Sequence, residues 1–257
     1  MAQNKQNNVL VVGGSSGIGL ATARLALRQL PGTNVIISSS NKDKLTKAAE
    51  ELKSDAPSGG HIIDYVVGDI SHLDTQFDDV EAILKASTEK FGGKIDHIVW
   101  TAGSASTPPQ EDKPSHKTAL QSATTRVFGP ATLFQLGKMY MTDTRHSSIT
   151  ISSGVAIYRP VAALAPYTAG ASIEPLSRGL AVSLAPIRSN FVVLGAVQTP
   201  LLERFAGNEE MMEWFKSRSL TKTIGQADEA AEAYLFSMRC AYVTGTRIDC
   251  DGGNLLV

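Results

Sequence analysis

The sequence predicts a doubly wound α/β fold, one parallel sheet covered by helices on both faces within a single domain. Three observations carry that expectation. Short apolar runs alternate with longer amphipathic runs along the chain, the pattern of strands joined by helical crossovers. The first apolar run, Val9–Val12, leads straight into Gly13-Gly14-Ser15-Ser16-Gly17-Ile18-Gly19 at the start of a helix-like segment. The chain has 257 residues and no internal repeat, low-complexity tract or linker, so residues 1–257 read as one unit with one large core.

Taken in order, Val9–Val12 is a buried strand and Gly17–Leu30 a helix stopped by Pro31-Gly32. Val35–Ser38 is the second strand, and Lys42–Lys53 a charged amphipathic helix. His61–Val67 forms the third strand, closed by Gly68-Asp69. Phe77–Phe91 is helical, and Ile95–Trp100 is a fourth strand ending in Thr101-Ala102-Gly103. A long helix follows at about Lys117–Met141, then a strand at Ser148–Ser152. A helix from about Ala169 to Leu184 leads to a strand at Asn190–Leu194. Thr246–Asp249 is the last short strand, before Asp251-Gly252-Gly253.

Composition narrows the partners. A chain 42% hydrophobic and 19% charged is globular, and a net charge of −1 gives no electrostatic reason to expect nucleic acid or an anionic membrane. The two cysteines, Cys240 and Cys250, have no metal-ligand spacing, so no metal is expected and reduced thiols are. The first eight residues are polar and no apolar run approaches membrane-spanning length, which makes a cytoplasmic protein the expectation.

The glycine loop points to a dinucleotide. Gly13 allows a tight strand-to-helix turn, Gly17 lets the backbone approach a diphosphate, and Gly19 permits close helix–strand packing. Ser15, Ser16 and Ile18 complete the loop, and the diphosphate would lie against the N–H groups that open the next helix. At the end of the second strand stand Ser38, Ser39, Ser40, Asn41 and Lys42, with no acid before Asp43. A carboxylate there would bind a free ribose 2′-hydroxyl, whereas hydroxyls, an amide and an ammonium suit a 2′-phosphate. NADP(H) is therefore the expected cofactor. On the other reading, Asn41 and Lys42 simply begin a solvated helix.

These motifs, with Asp69, Thr101-Ala102-Gly103, Arg188-Ser189-Asn190, Gly195-x-x-x-Thr199-Pro200 and Thr244-Gly245…Asp251-Gly252-Gly253, resemble the short-chain dehydrogenase/reductase pattern in the right order over nearly the whole chain. The resemblance implies a Rossmann-type fold with Asp69 and Ile70 bordering the adenine, Ala102 and Gly103 the ribose, and Val197 and Thr199 the nicotinamide side. It also implies a substrate lid at about 200–220, and a homo-oligomer, dimer or tetramer, built on the long helices. The lid holds Leu202, Phe205, Met211, Met212, Trp214 and Phe215, which read equally as helix core or as the wall of a pocket for a bulky apolar or aromatic small molecule.

The family's acid–base residues are missing. Thirteen residues after Ser153, where the family has its proton-donating Tyr, stands Pro166, and the Lys position is Gly170. Counting from Ser152 gives Ala165 and Ala169. Tyr167 is one residue out of register, a rotation of about 100° on a helix, and has no Lys to lower its pKa. It reads as packing or substrate wall. Where the family has a helical Asn, this chain has Arg126, followed by Val127-Phe128-Gly129. An Arg there is either a structural ion pair or a cation that orients substrate oxygens with its five donors; Arg126 and Ser153 are taken as the catalytic candidates.

This departure resembles a divergent fungal branch of the family with a degenerate tetrad, active in secondary (alkaloid) metabolism and including the reductase/Diels–Alderase of malbrancheamide-type pathways. Without a Tyr–Lys pair the alkoxide of a reduced ketone lacks its proton, whereas hydride alone turns an iminium into a neutral amine, so NADP(H)-dependent reduction of an iminium is the expectation. The resemblance adds intramolecular [4+2] cyclisation as a further expectation. That branch pairs its arginine with an acid, whereas Pro160-Val161-Ala162-Ala163-Leu164 contain none. Two other readings stand beside it: a conventional NADPH-dependent ketoreductase in which Tyr167 works, and a redox-dead NADP(H)-binding module.

Overall fold

The computed structural model describes residues 7–103, 116–160, 168 and 171–257. Seven parallel strands form one sheet in the order β3-β2-β1-β4-β5-β6-β7. The strands are β1 (Asn7–Val12), β2 (Thr33–Ser39), β3 (Ile63–Val67), β4 (His97–Trp100), β5 (Ser148–Gly154), β6 (Arg188–Leu194) and β7 (Arg247–Cys250). Along β1, Val9 and Val11 pack into the core on one face while Leu10 and Val12 pack into the core on the other. A strand buried on both faces needs apolar residues at successive positions, which is why Val9–Val12 reads as a continuous apolar run.

Helices α1 (Gly17–Gln29), α2 (Lys42–Asp55) and α3 (Gln76–Phe91) make the first crossovers. The strand order reverses direction between β1 and β4, and in open α/β sheets the crevice at such a switch point is the ligand site. The glycine loop after β1 and Thr101-Ala102-Gly103 after β4 meet there: Thr101 and Ala102 N–H both donate to Val12 O, at 2.8 and 3.0 Å.

The long helix expected over Lys117–Met141 is interrupted. It divides into α4 (His116–Ala123), a π-helical turn (Thr124–Phe128), α5 (Gly129–Ala131) and α6 (Leu133–Tyr140). The cause is Pro130, which has no N–H to give to the turn before it; Gly129 N–H reaches back five residues to Thr124 O instead. Arg126 sits in that turn. Past β5, α7 (Ile173–Ser183) begins four residues after the expected Ala169, which itself lies outside the described residues. The lid region folds as α8 (Pro200–Ala206) and α9 (Glu209–Ser217).

Residues 227–239, to which the sequence reading assigned no element, form α10 (Ala227–Arg239). A capping box between Gln226 and Glu229 starts it, and Ala230, Ala231, Tyr234, Leu235 and Met238 give it a buried face. Arg188 stops it. This 3%-exposed side chain donates to Ser237 O, Met238 O, Val243 O and Arg145 O at 2.6–3.1 Å, placing a cation on the negative end of α10. The Arg188-Ser189-Asn190 motif is thus a structural clasp.

Candidate active site

A cleft of about 420 Å³ runs across the C-terminal ends of β1, β4 and β5. Its floor is the glycine loop, with Gly13, Ser15, Ser16, Gly17, Ile18 and Gly19 all on the wall. Ser16 is the N-cap of α1 but makes no side-chain capping bond, and the first turn of α1 carries no acid. The opening N–H groups and the positive end of the helix therefore face the cleft without a side-chain anion to satisfy them. Gly17 has φ +55°, a conformation that side chains rarely adopt.

At one end the cleft is walled by Ser39, Ser40, Asn41, Asp69 and Ile70. Asn41 does cap α2, accepting Lys44 N–H at 2.9 Å, so the helix-start reading is correct, and the same residue also lines the cleft. The ammonium on this wall belongs to Lys44, not to Lys42, whose side chain is absent from it. Burial pushes the Asp69 carboxyl up, but hydrogen bonds from Ser71 and the nearby His72 outweigh that and hold it below the usual carboxylate range. The buried Ser38 Oγ, also on the wall, has no hydrogen-bond partner among the described residues.

At the other end lie Ala102, Gly103, Arg126, Ser152 and Ser153, and across from them Thr199. The π-turn that carries Arg126 is tethered by side chains from two neighbouring elements. Trp100 Nε1 donates to Thr125 O at 3.0 Å, and Gln76 Nε2 donates to Thr124 O at 2.8 Å and to Ile70 O. Gln76 is 2% exposed, so one buried amide ties the loop after β3 to the turn that carries the arginine. The guanidinium then lies against Gly103, where an added Cβ would sit 2.5 Å from Nη2 and 2.7 Å from Cζ.

Ser153 is 5% exposed, and its Oγ has no hydrogen-bond partner among the described residues, an orphaned hydroxyl facing the cleft. A buried hydroxyl left unpaired is costly unless a ligand or water completes it. Its neighbour Ser152 is paired with Tyr234 Oη of α10 at 2.6 Å. Burial drives the Tyr234 phenol far above its ordinary range, and the Ser152 bond and the Arg126 charge only partly offset it.

The cofactor candidates read from the sequence lie on this cleft, except Lys42 and Val197. Val197 borders a second cavity of about 210 Å³ together with Phe215 and Cys250. Sequence reasoning missed Gln76, Lys44, Ser152 and Arg204; Gln76 stands among exposed neighbours and gives no local signal. Pro166, Tyr167 and Gly170, the positions on which the missing acid–base pair was argued, lie outside the described residues, as do residues 161–164. Of the lid residues, Leu202, Met211 and Met212 are half-buried and Trp214 is 36% exposed; the Phe205 side chain lies outside the described set. None of α9 is fully buried, and none of its residues lines the cleft; Phe215 borders the second cavity instead.

The residues present fit a nicotinamide dinucleotide: an open helix N-terminus, a run of hydroxyls and an amide at the second-strand end, and two orphaned buried hydroxyls. Comparison with known proteins agrees. The family model for an SDR-like Rossmann domain matches residues 2–257. The short-chain dehydrogenase/reductase ucsE of an Acremonium species is 31% identical over 253 residues, covering 96% of this chain and 95% of that protein. The short-chain dehydrogenase/reductase malC of Malbranchea aurantiaca is 32% identical, covering 97% and 94%. The solved structure of the MalC reductase/Diels–Alderase superposes with a TM-score of 0.90 at 32% identity, covering 99% of this chain and 98% of that one.

Proposed function

Since the chain belongs to the short-chain dehydrogenase/reductase family, whose Rossmann fold binds a nicotinamide cofactor, we propose that it is an NADP(H)-dependent reductase of an iminium (C=N) intermediate in fungal secondary metabolism. The observation that carries this reading is the Arg126 guanidinium against Gly103, beside the orphaned Ser153 hydroxyl. When bound, the nicotinamide supplies a hydride, which turns an iminium into a neutral amine and leaves no alkoxide to protonate. The chain's own residues then have to bind and orient. Arg126 cannot lose a proton near neutral pH, so it serves as a fixed positive fork that grips carbonyl or amide oxygens of the substrate. Ser153 donates a secondary hydrogen bond beside it.

The same pocket serves a [4+2] closure, in which holding diene and dienophile together supplies much of the rate. The likeness to the reductase/Diels–Alderase supports that extension. The substrate is a bulky apolar or aromatic small molecule, admitted under a lid of α8 and α9. Among the described residues no helix is long and apolar enough to cross a membrane, and a cytoplasmic enzyme is part of the proposal. So is a homo-oligomer: Phe128, Phe134, Met139 and Val182 stand exposed on the segments from the π-turn to α7.

The test is Arg126→Ala on a cyclic imine and on the matched ketone, following NADPH consumption and product stereochemistry. The proposal expects loss of rate and of stereocontrol on the imine. Unchanged rate and stereochemistry would remove Arg126 from the mechanism.

A further inference from the structure

The cleft is more cationic than the chain that forms it. The chain carries a net charge of −1, yet the described cleft wall holds three basic side chains, Lys44, Arg126 and Arg204, against the single carboxylate of Asp69. Lys44 stands in the first turn of α2 and Arg126 at the Gly103 end. Arg204 enters from a different element, the lid helix α8.

That helix is pressed against the glycine loop. Thr199 caps it, its Oγ1 accepting Leu202 N–H at 3.2 Å. A Cβ on Gly17 would lie 3.2 Å from Thr199 Cγ2 and 4.0 Å from Pro200 Cδ, so the loop's diphosphate-facing glycine and the first turn of the lid are in contact. Arg204 lies one turn further on. Its Nε donates to Pro200 O at 3.1 Å, which fixes the side chain along the helix, and no acidic side chain among the described residues pairs with its Nη1 and Nη2. The adjacent Glu203 is engaged with Gln198 instead. A guanidinium held at its root and open at its tip, on the same cleft as a helix N-terminus already set for an anion, matches a diphosphate in charge.

We propose that Arg204 is a positioning residue that clamps the lid onto the diphosphate bridge of the bound dinucleotide, so that the lid is ordered by the cofactor before substrate arrives. The proposal rests on the reading that this cleft holds NADP(H). Lys44 takes the 2′-phosphate end, Arg204 the bridge, and Arg126 is left for the substrate.

The experiment compares wild type, Arg204→Ala and Arg204→Lys in calorimetric or competition titrations. The ligands are NADPH and adenosine 2′-monophosphate, which carries the 2′-phosphate but no diphosphate. Hydrogen exchange of residues 200–217 is followed with and without NADPH. Arg204→Ala is expected to weaken NADPH about ten-fold, the scale of a partly solvated charge-assisted pair, and to leave adenosine 2′-monophosphate unchanged. The protection that NADPH confers on residues 200–206 should disappear with it, and Arg204→Lys should recover part of both. Equal NADPH affinity in wild type and Arg204→Ala, or a parallel loss for adenosine 2′-monophosphate, overturns the clamp while leaving the cofactor reading intact. Wild type that binds neither nucleotide overturns both.

Discussion

Substituting Gly103 by Ala isolates the proposed work of Arg126 from everything else in the cleft. Gly103 is not among the glycines with positive φ, so a methyl group there brings no backbone strain. Its Cβ would lie 2.5 Å from Nη2 of Arg126, about 1 Å inside van der Waals contact. The obstructing atoms are the far end of a flexible side chain, so the guanidinium yields and the fold does not. Melting temperature should change little. A 1 Å displacement of a group that orients substrate costs up to about 100-fold in rate, or ~2.7 kcal/mol of barrier. The assay is kcat/KM on a cyclic imine for wild type, Gly103→Ala, Arg126→Ala and the double variant, with NADPH affinity measured in parallel because Gly103 also borders the cleft. If displacement of Arg126 is the cause, the methyl group adds no further loss in the Arg126→Ala background. Equal losses in both backgrounds, or a loss wholly in NADPH affinity, would refute the reasoning.

Further outcomes follow from the same geometry. Lys44→Ala should lower the preference for NADPH over NADH about ten-fold in a nicotinamide-fluorescence titration, since it removes the ammonium on the Ser39–Asn41 wall. Gln76→Ala takes the side-chain donor from Ile70 O and leaves Thr124 O with the Gly129 N–H alone, and should cost about 1–3 kcal/mol in denaturant unfolding, with stereocontrol lost alongside. The Tyr158 phenol is pushed up to about 12 by burial and by its hydrogen bond to Glu174. The folded state therefore holds that proton more tightly than the unfolded chain, and the stability it contributes is present below about pH 10 and lost as pH rises towards 12. Glu174→Gln should move the ultraviolet titration of Tyr158 back towards its ordinary value.

Much of this molecule was legible from local patterns. The strand–glycine–helix opening, Asp69, Ala102-Gly103 and Thr199-Pro200 each depend on neighbours close in sequence, and all of them meet at the β1/β4 switch point. Part of what escaped depends on contacts far apart in the chain. Gln76 looks like the start of a surface helix until Ile70 O and Thr124 O are brought to either side of its amide. The interruption at Thr124–Phe128 was announced by Pro130, but amphipathic spacing alone read through it. Lys44 rather than Lys42 reaches the cleft because Asn41 fixes where α2 begins, which sets the direction of each first-turn side chain. α10 rests on local signals, a helical period and a capping box between Gln226 and Glu229. Arg204 gave no local signal, because its meaning comes from a lid helix folding back on the glycine loop.

The central claim is that a guanidinium-lined cleft without the family's proton donor transfers hydride to a cationic C=N. Its most direct measurement gives wild-type enzyme NADPH deuterated at the transferable C4 position, together with a cyclic iminium substrate and the matched ketone in competition. The account predicts deuterium at the former iminium carbon of a single amine stereoisomer, and little label in the alcohol. Efficient labelling of the alcohol with an untouched iminium would contradict it.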